Sequence, residues 1–213
     1  MSYAVKEMFL TLQGEGIQAG RRAVFLRFAG CNLWTGREAD RVKAVCQFCD
    51  TDFVGTDGEN GGRFAEAEAL AATVASLWGD APGQRFVVIT GGEPTLQLDP
   101  PLIAALHGQE FEIAVESNGT LPAPDGIDWL CISPKAGSEV VQRHGDELKL
   151  VWPQEGIDPD VLQGWDFTHF LVQPMDRGTE AGNAESREAA IALALGDSRW
   201  RLTLQTHKLL GLQ

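Results

Sequence analysis

Six apolar runs of strand length, at 23–28, 86–89, 113–115, 129–132, 148–152 and 170–172, punctuate the chain. Their near-continuous hydrophobicity predicts parallel strands covered on both faces, because a sheet with one wet face would alternate apolar and polar positions. Helical patterns lie between several of them. Leu70, Val74, Leu77 and Trp78 share one helical face, and Asp99 is placed to cap a second helix, with Pro100 at its first position and Gly108 just beyond its end. Polar residues cluster after four of the runs: Thr90-Gly91-Gly92-Glu93, Glu116-Ser117-Asn118-Gly119, Ser133-Pro134-Lys135 and Gln173-Pro174-Met175-Asp176. In a β/α barrel the carboxyl ends of the strands gather such residues into one site, whereas a doubly wound sheet concentrates ligands at one switch point. The expected fold is α/β, a partial (β/α)6 TIM-like barrel with a reduced helical complement, since 213 residues fall short of the roughly 250 of a complete barrel.

One domain over residues 1–213 is expected, with an insertion at about 31–49. No apolar run approaches the roughly 18–20 residues of a membrane span, and the N-terminus lacks a signal-peptide hydrophobic region. These features predict a cytoplasmic protein with no membrane partner. A formal charge of -13 disfavours a broad nucleic-acid or anionic-membrane footprint and points to a small-molecule substrate. Two other segments read less regularly. Gly55 to Gly62 is a mobile connector by composition, and Trp200 to Thr206 alternates Trp200, Leu202 and Leu204 against polar residues, as a half-buried strand would.

Three of the four cysteines, Cys31, Cys46 and Cys49, lie in the first quarter of the chain, while Cys131 sits in an apolar run and reads as a core residue. In a reducing compartment such thiols serve as metal ligands or core residues rather than disulfides. A cubane iron-sulfur cluster normally takes one cysteine per iron, so three cysteines leave one iron open to an outside molecule. Fourteen residues separate Cys31 from Cys46, where the familiar radical S-adenosylmethionine (SAM) motif has three. The stretch between them carries a capping-box pattern, Thr35-x-x-Glu38, and 38–45 could run as a short helix that returns the chain to Cys46. On spacing alone the set suits a cluster, a zinc knuckle or unrelated buried thiols.

Combined with the three cysteines and repeated strands, Gly91-Gly92-Glu93-Pro94 resembles the radical SAM superfamily, in which this turn meets the methionyl amino group. The resemblance sharpens at Leu12-Gln13-Gly14-Glu15-Gly16, at Arg27 to Trp34, at Cys49-Asp50-Thr51-Asp52, at the Ser133 and Gln173 tips, and at Gln205-Thr206-His207-Lys208. Together these look like the 7-carboxy-7-deazaguanine synthase family, in its branch with the long cysteine spacer, through nearly the whole chain. The resemblance implies a carbon-nitrogen lyase that converts 6-carboxytetrahydropterin to 7-carboxy-7-deazaguanine with ammonia release, on the way to queuosine and related 7-deazapurines. It implies a [4Fe-4S] cluster, SAM as radical source and Mg2+. An electron donor such as flavodoxin or ferredoxin and a homodimer are also implied.

Carried over residue by residue, Cys31, Cys46 and Cys49 would hold the cluster. Phe48, Gly92, Glu93, Glu116, Ser133, Pro134, Lys135, Gln173, Pro174, Met175 and Asp176 would meet SAM, with Glu116 on the ribose hydroxyls and Glu93 offering a carboxylate to the ammonium. Leu12, Gln13, Gly14, Arg27, Thr90, His207 and Gln213 would meet the pterin, and Thr51 would offer oxygen to Mg2+. A guanidinium such as Arg27 suits a carboxylate through its fork of donors, although a surface salt bridge is as common a use. Two other readings stand beside this one: a radical SAM activase acting on a protein partner, and a non-catalytic zinc-binding domain.

Overall fold

The computed structural model describes residues 2–212. Nine strands form one sheet in the order β3-β1-β2-β4-β5-β6-β7-β8-β9. They are β1 (Tyr3–Leu12), β2 (Arg22–Phe28), β3 (Gly62–Phe64), β4 (Arg85–Gly91), β5 (Phe111–Ser117), β6 (Trp129–Ile132), β7 (His144–Trp152), β8 (Asp166–Pro174) and β9 (Trp200–Leu202). All six apolar runs are strands, and from β2 to β9 every pairing is parallel. The interior strand β4 shows why: Phe86, Val87, Val88 and Ile89 have no exposed surface, so both of its faces are covered.

Among the described residues five α-helices accompany the sheet: α1 (Ala67–Trp78), α2 (Pro100–Gly108), α3 (Pro159–Leu162), α4 (Glu180–Gly196) and α5 (Thr206–Leu210). The predicted face of α1 buries Leu70, Val74 and Trp78, with Leu77 packed partly against the core. Each fully buried aliphatic side chain contributes about 1.5–3 kcal/mol through its removal from water. In α2 the Asp99 carboxylate accepts from the Leu102 amide, as its capping position predicts, and Gly108 is the last helical residue rather than the one beyond it. No helix connects β5 to β6 or β6 to β7, which is the expected reduced complement. Among the described residues no helix is long and apolar enough to cross a membrane.

Strands β1 and β3 add an antiparallel wing that the apolar pattern did not reveal. Lys6 and Glu7 interrupt the hydrophobic run of β1. Lys6 is nevertheless buried, because its ammonium donates to the Val54 carbonyl at 2.9 Å and pairs with Asp52 at 2.9 Å and Asp57 at 2.8 Å. The glycine-rich 55–62 segment is tied to the edge of β1, with the Gly58 amide on the Lys6 carbonyl and the Met8 amide on the Glu59 carbonyl.

Two further expectations need correction. The alternating strand over 200–206 shrinks to Trp200–Leu202, and its faces are reversed beyond Trp200: Leu202 and Leu204 are exposed, whereas Thr203 is buried and accepts from the Gly16 amide at 3.0 Å. The capping box also fails. Thr35 accepts from the Arg37 amide and donates to Asp40, leaving Glu38 to pair with Arg41, and a 3-10 helix over Glu38–Lys43 forms with no buried residue.

The sheet does not close on itself by strand pairing. Instead the β1–β2 loop crosses its inner face. The Gly16 amide reaches Thr203, the Ile17 amide reaches Glu147 at 2.9 Å, and the Gly14 carbonyl accepts from the Thr206 amide at 2.9 Å.

Candidate active site

The carboxyl ends of the parallel strands surround a cavity of about 310 Å³. Eighteen of the residues assigned above by motif line it: Cys31, Cys46, Phe48, Cys49 and Thr51 from the cysteine segment; Leu12, Gln13, Gly14 and Arg27 from β1, its loop and β2; Thr90, Gly92, Glu116, Ser133, Lys135, Gln173, Pro174 and Asp176 from the strand tips; and His207 from the tail. Residues almost 200 positions apart in sequence thus line one cavity, as the barrel topology requires. Pro134 and Met175 do not line it; the Pro134 carbonyl accepts from Gln154, and the Met175 amide donates to Trp152. Gln213 lies outside the described residues.

The long cysteine spacer is short through space. The Val45 amide donates to the Leu33 carbonyl at 3.1 Å, and the Cys46 amide reaches the same oxygen at 3.5 Å. This neck leaves residues 34–44 as a side loop, so the direct route from Cys31 to Cys46 passes only three residues, Asn32, Leu33 and Val45. That is the spacing of the ordinary radical SAM motif.

The thiols are poised unequally. Hydrogen bonding from the Cys46 thiol holds Cys49 down to about 6, and the same bond together with burial pushes Cys46 up. Burial also raises Cys31, although the Leu33 amide donates to its sulfur at 3.4 Å. Three soft donors lining one cavity, with one already favouring thiolate, suit an iron-sulfur cluster. Among the described residues no group of three or more His, Cys, Asp or Glu is gathered as one bound ion would need. Gln173 lines the same cavity, and its side-chain oxygen is buried without a hydrogen-bond partner.

The Gly-Gly-Glu turn departs from expectation in one residue. Glu93 is completely buried, does not line the cavity, and is filled by protein donors. Its Oε1 accepts from the Thr95 amide, the Thr95 hydroxyl and the Ser117 hydroxyl, and its Oε2 accepts from the Asn118 amide. These donors tie Glu93 to the β5 tip, so it braces the turn. Gly92 does line the cavity, and a Cβ there would run into the Gly30 carbonyl and lie 2.9 Å from the Cys31 Cβ.

A buried charge cluster forms the floor. Lys149 pairs with Glu15 at 2.5 Å and with Glu116 at 2.9 Å, and Gln13 donates to the other Glu116 oxygen at 2.8 Å. Burial works against the Lys149 charge, but Glu116 and Glu15 outweigh it and hold the ammonium's pKa up. Burial likewise opposes ionisation of Glu15, yet Lys149 brings it down to about 2. Neither Glu15 nor Lys149 was singled out from sequence. Lys149 sits inside an apolar strand and Glu15 in a glycine-rich loop, so the only signal was a charge where a core residue belongs. Glu116, assigned to the ribose, has both oxygens engaged beside Gln13.

Around the rim, the Arg27 Nε donates to Glu7 Oε1 at 2.8 Å. Lys135 donates to the Ser133 hydroxyl and carbonyl, stands 5.9 Å over the Phe48 ring, and is pushed down by burial. The tail crosses the mouth. The Thr206 hydroxyl and amide both donate to the Gly14 carbonyl, His207 packs on Gly14, and Lys208 bridges Asp50 and Asp176 at 2.6 Å each.

Parallel strands around three convergent cysteines and a Gly-Gly-Glu turn define a radical SAM enzyme. No family model matches the chain. It is 61% identical over 212 residues to the 7-carboxy-7-deazaguanine synthase of Caulobacter vibrioides and 60% identical over 213 residues to that of Bradyrhizobium diazoefficiens, with all of both chains covered in each case. The solved structure of QueE from Escherichia coli superposes with a TM-score of 0.71 at 26% identity, covering 96% of this chain and 94% of that one. The chain belongs to the 7-carboxy-7-deazaguanine synthase family.

Proposed function

We propose that the protein converts 6-carboxytetrahydropterin to 7-carboxy-7-deazaguanine with release of ammonia. The observation that carries this reading is a cavity lined both by the three cysteines and by Gln13, Arg27 and the Glu15–Lys149–Glu116 cluster. Cys31, Cys46 and Cys49 would hold a [4Fe-4S] cluster, which with SAM supplies the radical that starts the chemistry.

The chain's own residues bind, orient and shield. Gly92 presents bare backbone to the methionyl end of SAM, while Phe48, Ser133, Lys135, Gln173, Pro174 and Asp176 surround its remainder. A pterin edge is rich in N–H donors, and Gln13 with the carboxylates of Glu15 and Glu116 offers matching acceptors. Arg27 faces the substrate carboxylate, with Thr90 between substrate and SAM. Thr51 would give one hard oxygen to Mg2+, with water and substrate completing its ligands. A cation there also eases entry of an anionic substrate into a chain of charge -13. Leu12, Gly14 and His207 exclude water from the pterin. Reducing equivalents come from a flavodoxin or ferredoxin, and the working unit is a homodimer.

Anaerobic incubation of the reconstituted protein with SAM, a reductant, Mg2+ and the carboxypterin tests the reading. Mass spectrometry should find the ring-contracted product. Its absence from protein with a full, reducible cluster overturns the proposal.

A further inference from the structure

The side loop cut off by the Leu33–Val45 neck is longer than ligand spacing requires, and the packing of its 3-10 helix does not explain it, since none of the residues Glu38–Lys43 is buried. One side chain turns back. Arg41 donates from Nη1 to the Gln47 carbonyl at 2.9 Å and to the Cys49 carbonyl at 3.1 Å. Its Nε is held by both oxygens of Glu38 at 2.9 Å, and its guanidinium lies 4.1 Å over the Trp34 ring. Trp34 is itself fixed, nearly buried, edge-on to Phe53 at 5.5 Å, with its indole N–H on the Arg37 carbonyl. The guanidinium therefore has a defined seat, and the two carbonyls it satisfies lie within the segment that carries Cys46 and Cys49.

We propose that Arg41 is a positioning residue for the cluster: the inserted loop is an arm whose guanidinium clamps the Cys46–Cys49 turn and sets a fixed positive charge beside the ligand backbone. The inference rests on the cluster assignment of the preceding section. Two consequences follow from the geometry. Both carbonyls lose their donor if Arg41 is removed, so the turn loosens and the metal-bound form becomes more labile; outer partners of metal ligands typically change affinity by about 10–100-fold. A nearby cation also favours the reduced, more negative cluster, so its loss moves the midpoint potential to more negative values. Lysine keeps the charge but lacks the planar fork needed to stack on Trp34 while serving two carbonyls.

The test compares wild type, Arg41→Met and Arg41→Lys, each reconstituted anaerobically. Iron release to a chelator, iron and sulfide content, and the midpoint potential by spectroelectrochemistry are measured, with the melting temperature of each apoprotein as the folding control. The expected result is release about tenfold faster in Arg41→Met and a lowered potential. Arg41→Lys should release iron faster than wild type while its potential stays near wild type. Because Arg41→Lys retains the charge, it decides the matter should Arg41→Met fail to fold. Wild-type release rates and potential in well-folded Arg41→Met, or wild-type release in Arg41→Lys, overturn the clamp. A wild-type protein that takes up no iron and sulfide overturns the cluster assignment instead.

Discussion

The Ser117 hydroxyl donates to Glu93 Oε1 across 2.8 Å, fastening the tip of β5 to the turn that follows β4. This bond makes the Gly-Gly-Glu turn part of the scaffold. Since four protein donors fill the Glu93 carboxylate, replacing it with glutamine sets an amide N–H against one of them. Glu93→Gln should lower unfolding free energy by about 1–3 kcal/mol, read by urea denaturation of the apoprotein. An unchanged midpoint together with a raised KM for SAM would return Glu93 to the ligand.

Among the described residues, Lys149 is the only counter-charge paired at hydrogen-bond distance with both Glu15 and Glu116. Removing it leaves two carboxylates facing each other without compensation, so Lys149→Met should cost about 3–5 kcal/mol in the same measurement. A loss below about 1 kcal/mol would show that water can reach the cluster.

Glu15 gives the fold an acid-sensitive component. Its carboxyl is held at about 2 in the native protein against an ordinary value of 4.5. The unfolded chain therefore binds the extra proton first, so the stabilisation is complete above pH 4.5 and is lost as pH falls towards 2. Glu15→Gln should flatten the decline of stability across that window, measured by denaturant titration at several pH values. An identical slope in wild type and variant counts against the pairing.

Gly14 and His207 meet so closely that a methyl group at position 14 would come within 2.7 Å of the His207 Cβ. Gly14→Ala must push the tail aside. The KM for the pterin should rise about tenfold, equivalent to about 1.4 kcal/mol, while the melting temperature changes little. Equal loss of KM and stability would mean that the tail is part of the core.

Lys208 clasps Asp50 and Asp176, but Lys208 and Asp50 are exposed and Asp176 is only half-buried. Exposed pairs contribute about 0–1 kcal/mol, so Lys208→Met should leave global stability almost unchanged. The clasp joins the cysteine segment, the β8 tip and the tail, and its loss should speed proteolysis within 204–212. Unchanged cleavage would show that the contacts of Gln205 and Thr206 suffice.

The six central strands were legible because both of their faces are buried, and burial on both faces writes itself as an unbroken apolar run. β1 escaped because Lys6 satisfies its charge through Asp52 and Asp57, partners that become neighbours only after folding. The same blindness hid Lys149 and Glu15, whose charges compensate each other across the sheet. Leu202 and Leu204 misled in the opposite sense: their alternation is real, but Thr203 faces inward because the β1–β2 loop brings an amide to meet it. The motif residues were found by resemblance, and most of them line one cavity. For Glu93 the motif named the residue, and the structure adds its bracing bonds to Thr95, Ser117 and Asn118.

One carbonyl, that of Leu33, holds the two ends of an eleven-residue excursion together. Distance along the chain is consequently a poor ruler for this motif. Lengthening or trimming the excursion away from Arg41 should be tolerated as long as its base stays knotted, so related chains can differ widely in cysteine spacing and still present the same three sulfurs.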